Sequence, residues 1–136
     1  MKVLRNIVAV VVGIFVGSLV NGGIIGLSGS VIPLPDGYDN TTIEGMKSTI
    51  HLLEAKHYLM PFLAHALGTF VGALLAAVIA ASRKMTFALV IGGVFLLGGI
   101  YMVTVLPAPT WFNVADLLLA YIPLAYLAGK LMARNK

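Results

Sequence analysis

The sequence predicts an all-α membrane protein, a four-transmembrane-helix bundle with a short external amphipathic helix between the first and second spans. Three observations support this fold class. The chain is 60% hydrophobic and only 10% charged, whereas a soluble domain carries charge at about a quarter of its positions. Four apolar segments reach the roughly 20 residues that cross a bilayer. Lysine and arginine collect at one set of their ends. We therefore expect one membrane domain over residues 1–136.

The first span covers residues about 7–28, the length that a bilayer requires. Its apolar run continues past Asn21 without an A-x-A-type cleavage site, so we expect the segment to be retained as a helix and not removed as a signal peptide. Small residues allow close helix packing in lipid. This span has two rows of them, Gly13 and Gly17 on one row and Ser18, Gly22, Gly26 and Ser30 on the other.

Residues 29–58 form the only long loop that the four-span reading leaves. Pro33, Pro35 and Gly37 supply turn chemistry that ends the first helix. An apolar pattern at three- and four-residue spacing then begins at Ile43 and reaches Leu53. It predicts a single amphipathic helix on the external surface that runs into the second span near Pro61.

The other three spans cover residues about 59–81, 85–106 and 111–131. The second carries small residues at four-residue spacing: Ala64, Gly68, Gly72, Ala76 and Ala80. Short connections at residues 82–84 and 107–110 make successive spans antiparallel. Pro123 leaves the carbonyl of Leu119 without its helical donor, so it predicts a bend in the fourth span. The small-residue rows fit packing within the chain or a homo-oligomer through the Gly/Ala-rich faces.

Orientation follows from the positive-inside rule. Only Lys47 and Lys56 fall on the loop side of the four-span reading, among acidic residues. The remaining basic residues fall on the opposite side: Lys2, Arg5, Arg83, Lys84, Lys130, Arg134 and Lys136. Both termini are therefore expected in the cytoplasm, with the chain in the lipid bilayer of a bacterial inner membrane. The basic residues form no stripe with interleaved aromatics, so nucleic acid is not an expected partner.

Ionisable residues gather near the external ends of the spans. His51, Glu54 and His57 follow one another at three-residue spacing in the loop, while His65 and Asp116 lie within the spans. An ionisable residue inside a span is costly and indicates function. Imidazole and carboxylate ligands suit a divalent metal such as zinc. The predicted ligands are His57, His65, Asp116 and Glu54, with supporting polar residues Asn21, Asn113, His51 and Tyr101.

Three classes of function stay open. The same groups would bind or move a small cation or a proton, since histidine titrates near neutral pH. Alternatively, His65 and Asp116 link helices in a structural or accessory subunit of a membrane complex. A metal-dependent membrane enzyme is the third possibility. The chain has no cysteine and no G-x-S-x-G, phosphate-loop or haem-attachment motif, so the sequence does not predict a particular enzyme.

The stretch Pro61-Phe-Leu-Ala-His-Ala-Leu-Gly-Thr-Phe-Val-Gly, followed by Arg83-Lys84-Met85 and by Leu106-Pro-Ala-Pro-Thr-Trp-Phe, resembles a group of small uncharacterised four-helix bacterial inner-membrane proteins. The resemblance extends over most of the chain. It implies an inner-membrane location and brings no assigned activity, substrate or cofactor. The signature residues of small four-helix exporters and of fluoride channels do not occur in the chain.

Overall fold

The computed structural model describes residues 1–134, which are helical and contain no strand. Lys136, one of the residues used for the orientation, lies outside this range. Two short 3-10 turns lie at Ile50–Leu52 and Ala55–Tyr58. The α-helices are α1 (Lys2–Val31), α2 (Ile43–Thr49), α3 (Leu59–Ile79), α4 (Lys84–Val105), α5 (Thr110–Leu119) and α6 (Ile122–Arg134).

Four helical stretches are long and apolar enough to cross a membrane: Lys2–Val31, Ala55–Ile79, Lys84–Val105 and Thr110–Arg134. They form a bundle, which confirms the predicted fold class at that level. The end of the bundle that carries the segment between α1 and α3 is called the loop end. The opposite end, where α1 begins, is called the basic end because most lysine and arginine residues lie there.

Glycines bring α1 and α3 into close contact. A Cβ added to Gly13 would lie 2.7 Å from the carbonyl oxygen of Gly72, and one added to Gly17 would lie 2.7 Å from that of Gly68. The predicted row Gly13 and Gly17 is therefore the packing face of α1. The second row faces outward, since a Cβ on Gly22 would meet nothing within 4 Å. Association of copies through that row stays a prediction.

The half of the bundle nearer the basic end has an apolar core of small side chains. Its fully buried members are Ala73, Ala76, Ala77, Ala88, Ile91, Ala125 and Ala128, from α3, α4 and α6. Alanine lets helix backbones approach closely, and that contact replaces the hydrophobic effect as the source of stability in lipid. This half is therefore closely packed.

Two polar side chains, those of Lys84 and Asn6, hold the turn between α3 and α4. The Lys84 ammonium donates to the carbonyl of Ala77 at 2.8 Å, and Arg83 adopts a left-handed backbone with φ 49°. The side-chain oxygen of Asn6 accepts from the amide of Ala81 at 2.9 Å. A cation at the last carbonyls of a helix complements its dipole. The connection predicted from residues 82–84 is thus fixed at the end of α3.

The predicted amphipathic helix is shorter than its sequence pattern indicates. α2 begins after Thr42, whose hydroxyl accepts from the amide of Gly45 at 2.9 Å, and ends at Thr49. The Thr49 hydroxyl donates to the Gly45 carbonyl and accepts from the amide of Asp39. Leu53 is extended, with φ −73° and ψ 137°. His51, Glu54 and His57 therefore do not share one helical face, and the expectation of a continuous helix to Pro61 was wrong.

Asp39 organises the turn before α2. Its carboxylate accepts from both the amide and the hydroxyl of Thr41. These hydrogen bonds favour the charged form and lower the pKa of Asp39. The neighbouring Tyr38 has a raised pKa, first because it is partly buried and second because the Asp39 charge opposes a phenolate. Both groups therefore keep their ordinary ionisation near neutral pH.

The fourth span is divided into two helices. α5 ends at Leu119 and α6 begins at Ile122, with Pro123 as the second residue of α6. Proline is accepted in the first turn of a helix, where its missing donor is not needed. The interruption thus lies where Pro123 predicts it. It leaves Tyr121 between the helices, with only 3% of its surface exposed.

The α1–α3 contact yields a prediction about two glycines of one helix. Gly13→Ala should destabilise the protein by about 1–3 kcal/mol, because its new methyl meets backbone that cannot move aside. Gly23→Ala is the matched control, since a Cβ there meets nothing within 4 Å. It should leave stability unchanged or raise it by up to about 1 kcal/mol through helix propensity. Unfolding in detergent followed by circular dichroism measures both. Equal stability of the two variants would contradict the contact.

Candidate functional site

His65 and Asp116 form a hydrogen bond inside the bundle. His65 lies in the second turn of α3 and Asp116 in α5, and His65 Nδ1 is 2.8 Å from Asp116 Oδ1. The carboxyl group is buried, with 6% of the side chain exposed, whereas the imidazole retains 22%. The two ionisable residues that the sequence places within spans therefore come together, and the histidine is the more exposed of the two.

Tyr121 completes the arrangement on the other side of the carboxyl group. Its hydroxyl donates to Asp116 Oδ2 at 3.0 Å, and its ring stacks on the imidazole of His65 with centroids 5.8 Å apart. With Asp116 ionised, both carboxylate oxygens accept, so neutral His65 carries its proton on Nδ1. Nε2 of His65 then has a free lone pair. This group of three residues is called the His65 triad.

His57 lies apart from the triad and uses both of its ring nitrogens. Nδ1 accepts from the backbone amide of Glu54 at 2.8 Å, and Nε2 is 3.1 Å from the carbonyl oxygen of Pro33. The first bond requires a lone pair on Nδ1, so Nε2 carries the proton and donates to Pro33. The buried ring thus joins the end of the loop segment to the chain leaving α1. No ring nitrogen of His57 remains for a metal in this conformation.

The other predicted residues of the loop face the surface. The Glu54 carboxylate is 3.8 Å from the Lys56 ammonium, and both side chains are largely exposed. His51 is exposed as well. Within residues 1–134, no three histidine or acidic side chains lie close enough together to hold a metal ion. The structure therefore brings together His65 and Asp116 of the four predicted ligands, and it leaves His57 and Glu54 elsewhere.

Two cavities meet at His65. One, of about 340 Å³, lies under the loop segment and is called the loop cavity; its polar lining includes Tyr38, Asn40, His57, Asn113 and Asp116. The other, of about 350 Å³, lies between α1, α3 and α4 and is called the span cavity; its polar lining includes Ser18, Asn21, Thr69, Tyr101 and Tyr121. His65, Gly99 and Met102 line both. The imidazole is therefore accessible from either cavity.

Three of the four supporting polar residues line these cavities, whereas His51 lines neither. Asn21 and Tyr101 line the span cavity, where the side-chain oxygen of Asn21 is buried without a partner among the described residues. Asn113 lines the loop cavity and donates weakly to the carbonyl of Ala108 at 3.4 Å. The predicted supporting residues thus do not form one group: Asn21 and Tyr101 lie in one cavity, Asn113 lies in the other, and His51 is exposed.

Sequence reasoning missed Tyr121 and Thr69. Thr69 follows His65 by four residues and so lies on the same face of α3, a spacing that was available in the sequence. Tyr121 follows Asp116 by five residues, a spacing that an unbroken helix places on different faces. The interruption before Pro123 brings it back to the carboxylate, and Pro123 was the one signal available for it.

Comparison with family models, with curated proteins and with solved structures finds no match to this chain. The resemblance to small inner-membrane proteins therefore stays a prediction. The geometry of the His65 triad and its cavities is what supports a function.

His57 gives a testable prediction about the loop segment. His57→Leu should leave the Glu54 amide and the Pro33 carbonyl without their partner, so backbone amides of residues 33–58 should exchange with deuterium about tenfold faster, the equivalent of roughly 1.4 kcal/mol. His51→Leu is the control, since that ring is exposed. Hydrogen exchange by mass spectrometry measures both. Unchanged exchange in the His57 variant would show that the ring does not hold the segment.

Proposed function

We propose that the chain is a multi-pass protein of the bacterial inner membrane that binds a proton at His65, taken up from the external side. The observation that carries this proposal is the 2.8 Å hydrogen bond between His65 and a buried Asp116, with a histidine nitrogen left free beside two cavities. Ionisable residues inside a membrane span are costly to insert, and they are rare there unless they have a function. Retaining both groups in an apolar bundle supports a role for their chemistry.

The triad suits reversible protonation of the imidazole. When Nε2 takes up a proton, Nδ1 keeps its hydrogen bond to Asp116, and the carboxylate faces the new positive charge. Tyr121 keeps its hydrogen bond to the second oxygen. No partner has to be exchanged, so the change of charge needs no rearrangement of the helices. Histidine is the side chain that makes such a change near physiological pH.

The basic residues set the orientation in this proposal. The basic end lies in the cytoplasm by the positive-inside rule, which places the loop end and the predicted external amphipathic segment outside. The loop cavity then connects His65 with the external surface. Toward the cytoplasm, the triad is followed by the apolar core of Ala73, Ala76, Ala77 and their neighbours. A single copy thus supports binding of a proton at the external side more than passage across the membrane.

A second candidate is a structural link. Both oxygens of Asp116 accept hydrogen bonds, and these bonds join α3, α5 and the start of α6. The triad would then hold helices together in an accessory subunit of a membrane complex. A zinc site would need further ligands beside His65 and Asp116, supplied by a second chain or by a rearranged loop, and the same holds for a metal-dependent enzyme. These alternatives receive less support from the geometry.

Nitrogen NMR of histidine in oriented proteoliposomes tests the proposal, because the chain has only three histidines. Lowering the pH at the loop end from about 8 to about 5, the range in which histidine changes charge, should protonate Nε2 of His65. The same change on the other side should leave it neutral. At the higher pH, His65 should carry its proton on Nδ1 and His57 on Nε2, because their partners require opposite tautomers.

Two variants separate protonation from structural support. Asp116→Asn replaces an acceptor by a group that both donates and accepts, so His65 should lose its single tautomer while the protein stays folded. His51→Gln is the control, since it removes an exposed histidine and should leave the His65 signal unchanged. A His65 ring that keeps one neutral form throughout the acidic range would overturn the proposal. Unfolding of both Asp116→Asn and Tyr121→Phe in that case would favour the structural link.

A further inference from the structure

The span cavity has a composition that distinguishes it from ordinary packing defects. Its volume of about 350 Å³ falls within the range of small-molecule sites, about 300–1,000 Å³. Glycines form much of its wall, with Gly17 and Gly68 on one side and Gly98 and Gly99 on the other. Phe95 and Tyr121 supply flat apolar surfaces. Polar side chains lie on α1 and α3.

Two of these polar side chains have buried atoms with no hydrogen-bond partner in the described chain. They are the Asn21 side-chain oxygen and the Thr69 hydroxyl, and both residues line the cavity. Thr69 is 1% exposed, so bulk solvent does not satisfy its hydroxyl. Buried polar groups almost always have a partner. Both residues line the same cavity, where a bound molecule could supply the missing partner.

The hydrogen-bonding character of the wall indicates the chemistry of that molecule. The Asn21 oxygen accepts, the Thr69 hydroxyl accepts or donates, and neutral His65 offers its Nε2 lone pair. The lining includes no lysine, arginine, aspartate or glutamate. An ion would therefore meet no countercharge in the wall. An uncharged group with hydroxyls, which donate hydrogen bonds, fits three acceptors in an otherwise apolar pocket.

The cavity opens on the side of the bundle. Ser18 of α1 and Gly98 and Tyr101 of α4 line it and are exposed, and Tyr101 keeps 64% of its surface accessible. A Cβ on Gly98 would meet nothing within 4 Å, so the gap between α1 and α4 is open there. These residues lie in the interior of long apolar helices. In the membrane orientation proposed above, the opening faces lipid.

We propose that the span cavity binds the uncharged hydroxyl-bearing head of a membrane-dissolved amphiphile, through Asn21, Thr69 and the free nitrogen of His65. The site goes beyond proton uptake and shares His65 with it, and its lateral opening rests on the proposed membrane orientation. The shared chemistry is the hydroxyl group, which a water-soluble polyol would also present. The lateral opening favours the amphiphile.

Binding of monooleoylglycerol to the protein in phosphatidylcholine nanodiscs, followed by native mass spectrometry, tests the site. One molecule per chain should be retained. Methyl oleate, which has a similar acyl chain and no hydroxyl, should bind at least about tenfold more weakly, the loss expected for one good hydrogen bond. Free glycerol that displaces monooleoylglycerol would support the hydroxyl site and assign its source to solution. Equal retention of the two oleate compounds, or retention of neither, would overturn the proposal.

Substitutions locate the site. Thr69→Val and Asn21→Leu should each weaken monooleoylglycerol binding about tenfold. Thr104→Val is the matched control, because its hydroxyl donates to the Tyr101 carbonyl and the residue does not line the cavity. Gly98→Leu should block entry without disturbing a neighbour. Unweakened binding in both Thr69→Val and Gly98→Leu would place the lipid elsewhere and overturn the assignment.

The titration of His65 distinguishes this failure from that of the proton site. In Thr69→Val and Asn21→Leu, His65 should still become protonated when the pH is lowered at the loop end and not at the other end, since neither residue bonds to the triad. Loss of lipid binding with intact titration supports both proposals, with His65 common to the two and with Asn21 and Thr69 needed for the lipid alone. Lipid binding by a protein whose His65 does not titrate would support the cavity and overturn proton uptake.

Discussion

A buried carboxylate in an apolar bundle is the constraint around which the half of this protein nearer the loop end is arranged. Asp116 is 4% exposed and has two donors, His65 and Tyr121. An uncompensated charge in such surroundings is costly, so both donors have to be held in place. One comes from α3 and the other from the break between α5 and α6. The carboxylate therefore determines how three helices meet, and it also determines which nitrogen of His65 stays free.

Small residues have different roles in the two halves of the bundle. Near the basic end, alanines and close glycine contacts bring the helices together, so no polar group and no sizeable space is needed there. Toward the loop end, the glycines of α4 do not meet another backbone. Gly98 faces open space, and Gly99 faces the ring of Tyr121. Small residues thus allow close helix packing in the half nearer the basic end, and they leave space for a cavity in the half nearer the loop end. The difference depends on the partner that each glycine faces, which spacing alone does not reveal.

The sequence was sufficient for the long helices and for the position of His65 and Asp116 toward one end of the bundle. Hydropathy located the four apolar stretches, and one of two glycine rows on α1 proved to be the packing face. His65 and Asp116 were placed together from depth alone. The pattern failed where local hydrogen bonds override periodicity: Thr49 bonds back to Gly45, Leu53 is extended, and the loop helix ends early. Tyr121 was missed because its position depends on a helix interruption. His57 was predicted as a metal ligand, but both of its ring nitrogens bond to backbone groups whose positions are set by the path of the loop.

The two buried or half-buried histidines differ in what their second ring nitrogen contacts, and that difference separates their roles. His57 has both nitrogens bonded to backbone, so a gain of charge would break its bond to the Glu54 amide and loosen the segment it holds. His65 has one nitrogen on a carboxylate and the other beside the cavities, so a gain of charge would leave its bond to Asp116 in place. The same free nitrogen accepts a hydrogen bond from a hydroxyl only while it lacks that proton. Once protonated, this nitrogen would instead donate to the oxygen of such a hydroxyl, so protonation of His65 would reverse the direction of the hydrogen bond to the proposed ligand.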